Sequence, residues 1–170
     1  MKMNITEFTI AKADSGPYGI AAAKDGNVWF TQYKANQISC INKNEEIKEY
    51  AVPTPNAKLM CLTVSSSGDI WFTENAANKI GRLTTAGNFT EYALPHPNSE
   101  LYGITEGLDG DIWFTQMKGA RIGKLTADGT IHEYDIPTST AGPHGIICDE
   151  DGEVWFASEC NKIGHIRKNS

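Results

Sequence analysis

Short apolar runs, each broken within a few residues by turn formers, follow one another along the whole chain, and no apolar stripe of 3.6-residue period is long enough for a helix. Residues 58–99 show the pattern. Met60 to Val64 reads as a first strand and Ser67-Gly68 as a tight hairpin turn. Asp69 to Thr73 follows as a second strand and Lys79 to Leu83 as a third. After a turn through Ala86-Gly87, Phe89 to Leu94 forms a fourth that stops before Pro95. Four short antiparallel strands in sequence predict one small sheet.

The same frame returns at a fixed interval. Trp29, Trp71, Trp113 and Trp155 stand 42 residues apart, and each is followed by a phenylalanine. A glycine lies three residues before each tryptophan (Gly26, Gly68, Gly110, Gly152), and an isoleucine about nine after it (Ile38, Ile80, Ile122, Ile163). An aromatic recurs at Tyr50, Tyr92 and Tyr134, and Asp-Gly takes the place of Ser67-Gly68 in the other three repeats. A period in the low forties built of short strands predicts an all-β propeller, with each four-stranded repeat forming one blade. The repeats run 16–57, 58–99, 100–141 and a shortened 142–170, so residues 1–170 are read as one repeat domain. Ile5-Thr6-Glu7-Phe8 matches Ile47-Lys48-Glu49-Tyr50 and Ile131-His132-Glu133-Tyr134, again with 42 residues between Phe8 and Tyr50. Residues 4–10 are therefore expected to supply the strand that the last blade lacks and to cover its open sheet edge. The Trp-Phe pairs are read as packing between blades, each large side chain contributing about 1.5–3 kcal/mol when buried.

Composition narrows the function classes. A net charge of −6, an isoelectric point near 5.2 and no basic run longer than Arg167-Lys168 argue against nucleic-acid binding. No apolar signal core opens the sequence and no apolar stretch is long enough to cross a membrane, so a soluble, cytoplasmic protein is expected. Cys40, Cys61, Cys148 and Cys160 occupy different repeat positions without a CxxC pair, which predicts free thiols.

Chemistry is sought where the repeats disagree. The residue opening each first strand is Tyr18, Met60, Tyr102 and then His144, and only an imidazole readily takes up a proton near neutral pH. In an antiparallel blade the first strand begins on the face where the second ends. The second strands end in Gln32, Glu74 and Gln116, whereas the last repeat reads Ala157-Ser158-Glu159-Cys160 and is one residue shorter before Ile163. Glu159 is thus placed on the His144 face. The pair suits proton abstraction by His144 with a divalent ion held by Glu159 as electrophile; the alternative is a polar residue lining a blade mouth. His96 lies in a proline-flanked connection, His132 replaces Lys48 and Thr90, and His165 replaces Arg82 and Lys124.

The segments GPYGI (16–20), WFTENAANKIGR (71–82), YGITEG (102–107), GDIWFTQM (110–117), PHGI (143–146) and WFASECNKIG (155–164) resemble the virginiamycin B lyase family of streptogramin B resistance enzymes. The resemblance implies a seven-bladed propeller that opens a cyclic depsipeptide antibiotic by magnesium-dependent elimination. It assigns His144 as general base and Glu159 as a Mg2+ ligand; Tyr18, which would neighbour the last blade once the ring closes, and Tyr102 are expected to line the substrate pocket. The family places a magnesium-binding glutamate two residues before its catalytic histidine, where this sequence has Gly142. Three intermediate blades of the family pattern have no counterpart.

Seven blades sit about 51° apart and four would need about 90°, whereas two four-bladed chains in one eight-bladed ring would need about 45°. The sequence therefore leads to the expectation of a head-to-tail homodimer, with each N-terminal strand completing the partner's last blade. Three functions are consistent with these residues: a magnesium-dependent streptogramin B lyase, a non-catalytic binding propeller, and a metal-dependent lactone hydrolase.

Overall fold

Every repeat folds as an antiparallel sheet because its turns force the chain to reverse after each strand of five or six residues. The computed structural model describes residues 3–167. Blade 1 contains β1 (Pro17–Ala22), β2 (Val28–Gln32), β3 (Gln37–Ile41) and β4 (Ile47–Ala51). Blade 2 contains β5 (Leu59–Val64), β6 (Ile70–Glu74), β7 (Lys79–Leu83) and β8 (Phe89–Ala93). Blade 3 contains β9 (Leu101–Glu106), β10 (Ile112–Gln116), β11 (Arg121–Leu125) and β12 (Ile131–Asp135), and blade 4 contains β13 (Pro143–Cys148), β14 (Val154–Ser158) and β15 (Lys162–Ile166). Each sheet runs in sequence order from inner to outer strand. The first hairpin of each blade turns on Gly26, Gly68, Gly110 or Gly152, all with φ between +80° and +89°, a conformation that costs a side-chain-bearing residue far more.

Period-two alternation along each strand sends one set of side chains to each neighbouring blade, and the core lies between the sheets. Ile38 of blade 1 packs with Leu59, Leu62, Ile70, Phe72 and Leu83 of blade 2. Ile80 of blade 2 meets Leu101, Ile104, Ile112, Phe114 and Leu125 of blade 3, and Ile122 of blade 3 meets Ile146, Val154 and Phe156 of blade 4. The tryptophans lie further out, against the fourth-strand tyrosines: Trp29 on Tyr50, Trp71 on Tyr92 and Trp113 on Tyr134, with ring centroids 5.7–5.9 Å apart. The Trp-Phe pairs thus pack between blades together with the isoleucines: Phe72, Phe114, Phe156 and Trp113 belong to the interblade cores, Trp29 and Trp71 pack against them, and three of the tryptophans also brace the outer strands.

The inner strands also share a polar joint. Thr31, Thr73 and Thr115 each donate a hydroxyl hydrogen bond of 2.8 Å to an inner-strand carbonyl of the next blade, at Met60, Tyr102 and His144. Thr115 accepts in turn from the Gly103 N–H at 2.8 Å and is fully buried. Replacing Thr115 with valine keeps the shape but strips a partner from the buried Gly103 N–H and the part-buried His144 carbonyl. The expected loss is about 1–3 kcal/mol in urea-induced unfolding.

The four blades form an open arc. Inner strand β1 packs on β5, β5 on β9 and β9 on β13. Among the described residues no inner strand packs on the far side of β13, and a Cβ on Gly145 would meet nothing within 4 Å. The N-terminal segment differs from its expected role. Residues 3–10 form no strand, and among the described residues blade 4 has three strands and no fourth on the outer edge of β15. Phe8 and Ile10 instead border a groove on the free side of blade 1. The reason is geometric: in an open arc the segment leading into β1 lies beside blade 1, while β15 belongs to the blade at the far end.

Candidate functional site

The first residues of the inner strands gather at one mouth of the central channel, whose wall is formed by Gly19, Cys61, Gly103 and Gly145 with their neighbours. The bulged register at the start of each inner strand, between Pro143 and Ile146 in blade 4, frees His144 from regular pairing. Its backbone is then held by Thr115 of blade 3.

The site brings together all four residues singled out in the sequence. His144 Nε2 lies 2.8 Å from Glu159 Oε1, across the joint between the start of β13 and the loop after β14. The His144 side chain is one-third exposed and that of Glu159 two-thirds exposed, so both are reachable from solvent. Tyr102 packs on the His144 ring with centroids 4.6 Å apart, and Tyr18 meets Tyr102 edge-on at 6.2 Å. The Tyr18 and Tyr102 hydroxyls are hydrogen-bonded to each other. That bond, followed by burial, pushes the Tyr102 phenol up to about 12, so it remains a neutral hydrogen-bonding group at physiological pH. Tyr18 thus reaches the histidine through Tyr102 of the same chain, where the sequence suggested an approach through ring closure.

The metal expectation finds less support in the geometry. Among the described residues no group of three or more His, Cys, Asp or Glu side chains is placed to hold a metal. Glu159 directs one oxygen to His144, and Gly142, with φ +54°, brings no carboxylate. The donor set of this chain therefore does not fit a magnesium ion by itself. Gly142 is nevertheless adjacent: its carbonyl accepts from the Glu159 N–H at 3.2 Å, and an added Cβ would lie 2.9 Å from Glu159 Oε2.

The remaining histidines are committed elsewhere. His96 pairs with Glu133, His132 is exposed on β12, and His165 stacks on Trp155 with centroids 3.7 Å apart. The four cysteines are free. Sequence reasoning missed Thr115, although its recurrence with Thr31 and Thr73, and its loss at Ala157, was visible in the repeat. It also missed Glu74, which breaks a Gln pattern and is fully buried with neither carboxylate oxygen bonded to a donor.

The sequence model of the virginiamycin B lyase family matches residues 3–170. The chain belongs to that family. A virginiamycin B lyase from Staphylococcus aureus is 52% identical over 55 residues, covering 32% of this chain and 18% of that one. A solved streptogramin B lyase structure superposes with a TM-score of 0.93 at 60% identity, covering 95% of this chain and 54% of the other. A catalytically inactive His-to-Ala variant of the Staphylococcus aureus virginiamycin B lyase, solved with quinupristin, superposes at 0.87 with 48% identity, covering 96% and 59%. The chain thus spans little more than half the length of these solved lyases. A gluconolactonase-like structure at 13% identity and TM-score 0.72 shares the fold alone.

Proposed function

We propose that the His144 site performs the elimination chemistry of streptogramin B lyases on a cyclic depsipeptide of that class. The observation that carries this reading is the His144–Glu159 pair, 2.8 Å apart at the channel mouth of a virginiamycin B lyase family chain. Loss of one histidine silences the relative solved with quinupristin, and His144 is the histidine of this chain at the channel mouth.

The pair performs two tasks. A neutral imidazole that donates its Nε2–H to Glu159 keeps a lone pair on Nδ1, and the carboxylate fixes the ring and stabilises the imidazolium that forms. Glu159 is in this sense a positioning residue. Nδ1 takes the α-proton of the threonyl residue whose side-chain oxygen closes the ring ester. The released pair forms the Cα–Cβ double bond, the Cβ–O bond breaks, and the carboxylate leaves with both electrons. The product is linear and unchanged in mass. The aromatic surface of Tyr102 and Tyr18 beside the base offers a wall for an apolar, ring-bearing substrate, and their hydroxyls offer hydrogen bonds.

Mass spectrometry of a streptogramin B antibiotic incubated with the protein tests the reading. A linear product isobaric with the substrate is expected. A product heavier by one water would indicate a lactone hydrolase, and intact cyclic antibiotic a binding propeller; either outcome rejects elimination.

Magnesium receives no step, because the present donor set does not fit it. A single change should supply the missing donor. Lys58 (φ +55°) and Glu100 (φ +52°) already occupy the place of Gly142 in blades 2 and 3, so a side chain is tolerated there. Gly142→Glu places a second carboxylate beside Glu159, whose flexible end can move aside. The variant is expected to bind Mg2+ about tenfold tighter than the parent in isothermal titration calorimetry, since affinity for a hard cation rises with carboxylate count. Equal heats for the two proteins would reject the placement.

A further inference from the structure

The four tryptophans share one local pattern, and blade 1 departs from it. The third-strand residue paired with each tryptophan is Cys40, Arg82, Lys124 or His165, and the residue two before the tryptophan is Asn27, Asp69, Asp111 or Glu153. Blades 2 to 4 thus hold a basic side chain and an acid there. The Arg82 guanidinium lies 5.2 Å from the Trp71 ring centre, the Lys124 ammonium 5.3 Å from that of Trp113, and the His165 ring 3.7 Å from that of Trp155. Each is 2.5–2.6 Å from its acid. In blade 1 a cysteine and an asparagine, shorter and uncharged, stand in their places.

The volume those side chains would fill is open. Between Trp29, Tyr50 and the first hairpin of blade 2 lies a cavity of about 550 Å³, with Cys40 and Val64 in its wall, at the ends of the strands opposite His144. The charge of its lining changes as well. Ser67 on the facing hairpin replaces the aspartate of the other three, Asp25, Asp109 and Asp151. Lys48, paired with Cys40 across strands, stands where blades 2 and 3 have Thr90 and His132. Its ammonium lies 4.8 Å from the Tyr50 ring centre, and Lys24 is exposed on the rim. Two acids also border the cavity, and both are bonded within the chain. Asp25 accepts from the Asn27 N–H and side-chain amide at 2.9 and 2.8 Å, and Glu46 accepts from the Asn42 amide at 2.7 Å. Burial pushes the Cys40 thiol up, so that part of the wall is uncharged.

We propose that this cavity between blades 1 and 2 binds a planar aromatic carboxylate, with its ring on Trp29 and Tyr50 and its carboxylate on Lys48 and Lys24. The ring takes the place over Trp29 that the Arg82 side chain takes over Trp71, and makes the packing that Cys40 is too short to make. The volume falls within the range of about 300–1,000 Å³ usual for small-molecule sites. At the open edge the two ammonium groups offer charge-assisted hydrogen bonds. An organic cation suits the cavity less. The acid that balances a cation in the other blades is Asn27 here, and Lys48 would repel it. The site is separate from the His144 mouth, because the hairpins and the starts of the inner strands lie at opposite ends of each blade.

Isothermal titration calorimetry with naphthoate tests the proposal on the full chain, and saturable binding to a single site is expected. Cys40→Arg combined with Asn27→Asp rebuilds over Trp29 the pair that blade 2 carries, and should abolish binding by filling the cavity. Lys48→Thr, an exposed change to the residue of blade 2, leaves the wall intact and keeps the test open if the double variant fails to fold. It should weaken binding about tenfold, the worth of one hydrogen bond to a charged group. Naphthamide, equally flat but neutral, should bind the wild type about tenfold less tightly than naphthoate for the same reason. Absence of saturable heat with the wild type overturns the proposal. Equal affinity of naphthoate for the wild type and either folded variant overturns it too, since the ring would then sit elsewhere. Tighter binding of naphthamidine than of naphthoate would make the cavity a cation site and overturn it as well.

Discussion

Alanine in place of His144 is expected to slow linearisation of a streptogramin B antibiotic by about 10²–10⁴-fold, the usual contribution of a positioned general base. The α-proton of an esterified threonyl residue is too weakly acidic for water to remove at a useful rate near neutral pH. In the proposed reaction the imidazole contributes by standing next to it already oriented. Its orientation comes from three sides: Glu159 at 2.8 Å, the Tyr102 ring, and the Thr115 hydroxyl on the His144 carbonyl. Glu159→Gln keeps a hydrogen-bonding partner but loses the negative charge that favours imidazolium. It should retain more activity than His144→Ala, with its loss in kcat and with KM little changed. Because the His144 side chain is one-third exposed, the alanine variant should unfold at the wild-type urea midpoint. Equal product formation by wild type and His144→Ala would remove His144 from the mechanism.

Glutamine in place of Glu74 is expected to stabilise the protein, by on the order of 2–4 kcal/mol at pH 8. In blade 1 Gln32 donates to Glu49 at 2.8 Å, and in blade 3 Gln116 donates to Glu133 at 2.9 Å. Blade 2 has a carboxyl in the place of the amide. Burial, and secondarily the neighbouring Glu91, push the Glu74 carboxyl up to about 8. Burial also opposes ionisation of Glu91, but hydrogen bonds from Thr54 and Lys79 outweigh it and hold that carboxyl below its ordinary range. The proton therefore resides on Glu74, which can donate to Glu91 as the glutamines do to Glu49 and Glu133.

A raised folded-state pKa fixes the sign of the pH dependence. The stabilisation is complete below the ordinary carboxylate range, where folded and unfolded chains both hold the proton. It is lost as pH rises from there to about 8, because the unfolded chain releases the proton first. Urea midpoints of the wild type should fall between pH 5 and pH 8, while those of Glu74→Gln should stay nearly level. Parallel profiles for the two proteins would show that Glu74 is not the titrating group. Few surface changes would have an effect of this size, and it follows from one residue that departs from its repeat.

The strands were legible because they are local. Lys79 to Leu83 was read as a strand and is β7, and Met60 to Val64 falls within β5 (Leu59–Val64). Turn residues and a 42-residue period leave little freedom in such segments. Glu159 on the His144 face was also legible, since antiparallel pairing puts the start of an inner strand beside the end of the next, and Pro143 pairs with Ser158. Thr115 and Glu74 were less so. Their importance depends on which carbonyl or carboxylate lies opposite in another strand or blade, and repeat spacing does not state that contact.

The sequence by itself determined the blade, its strand order, the position of His144 and the membership of the lyase family, because these depend on short-range turns and on residues repeated at a constant interval. Tertiary structure decided what happens between blades and at the ends. It placed Tyr18 against Tyr102, turned a Glu159 oxygen toward His144, buried Glu74 without a donor, and left Ile20 and Ile163 uncovered. The physical reason is that blade packing is cumulative. Each joint sets a small angle, and only their sum over four blades shows whether the ring closes and which side chains remain exposed.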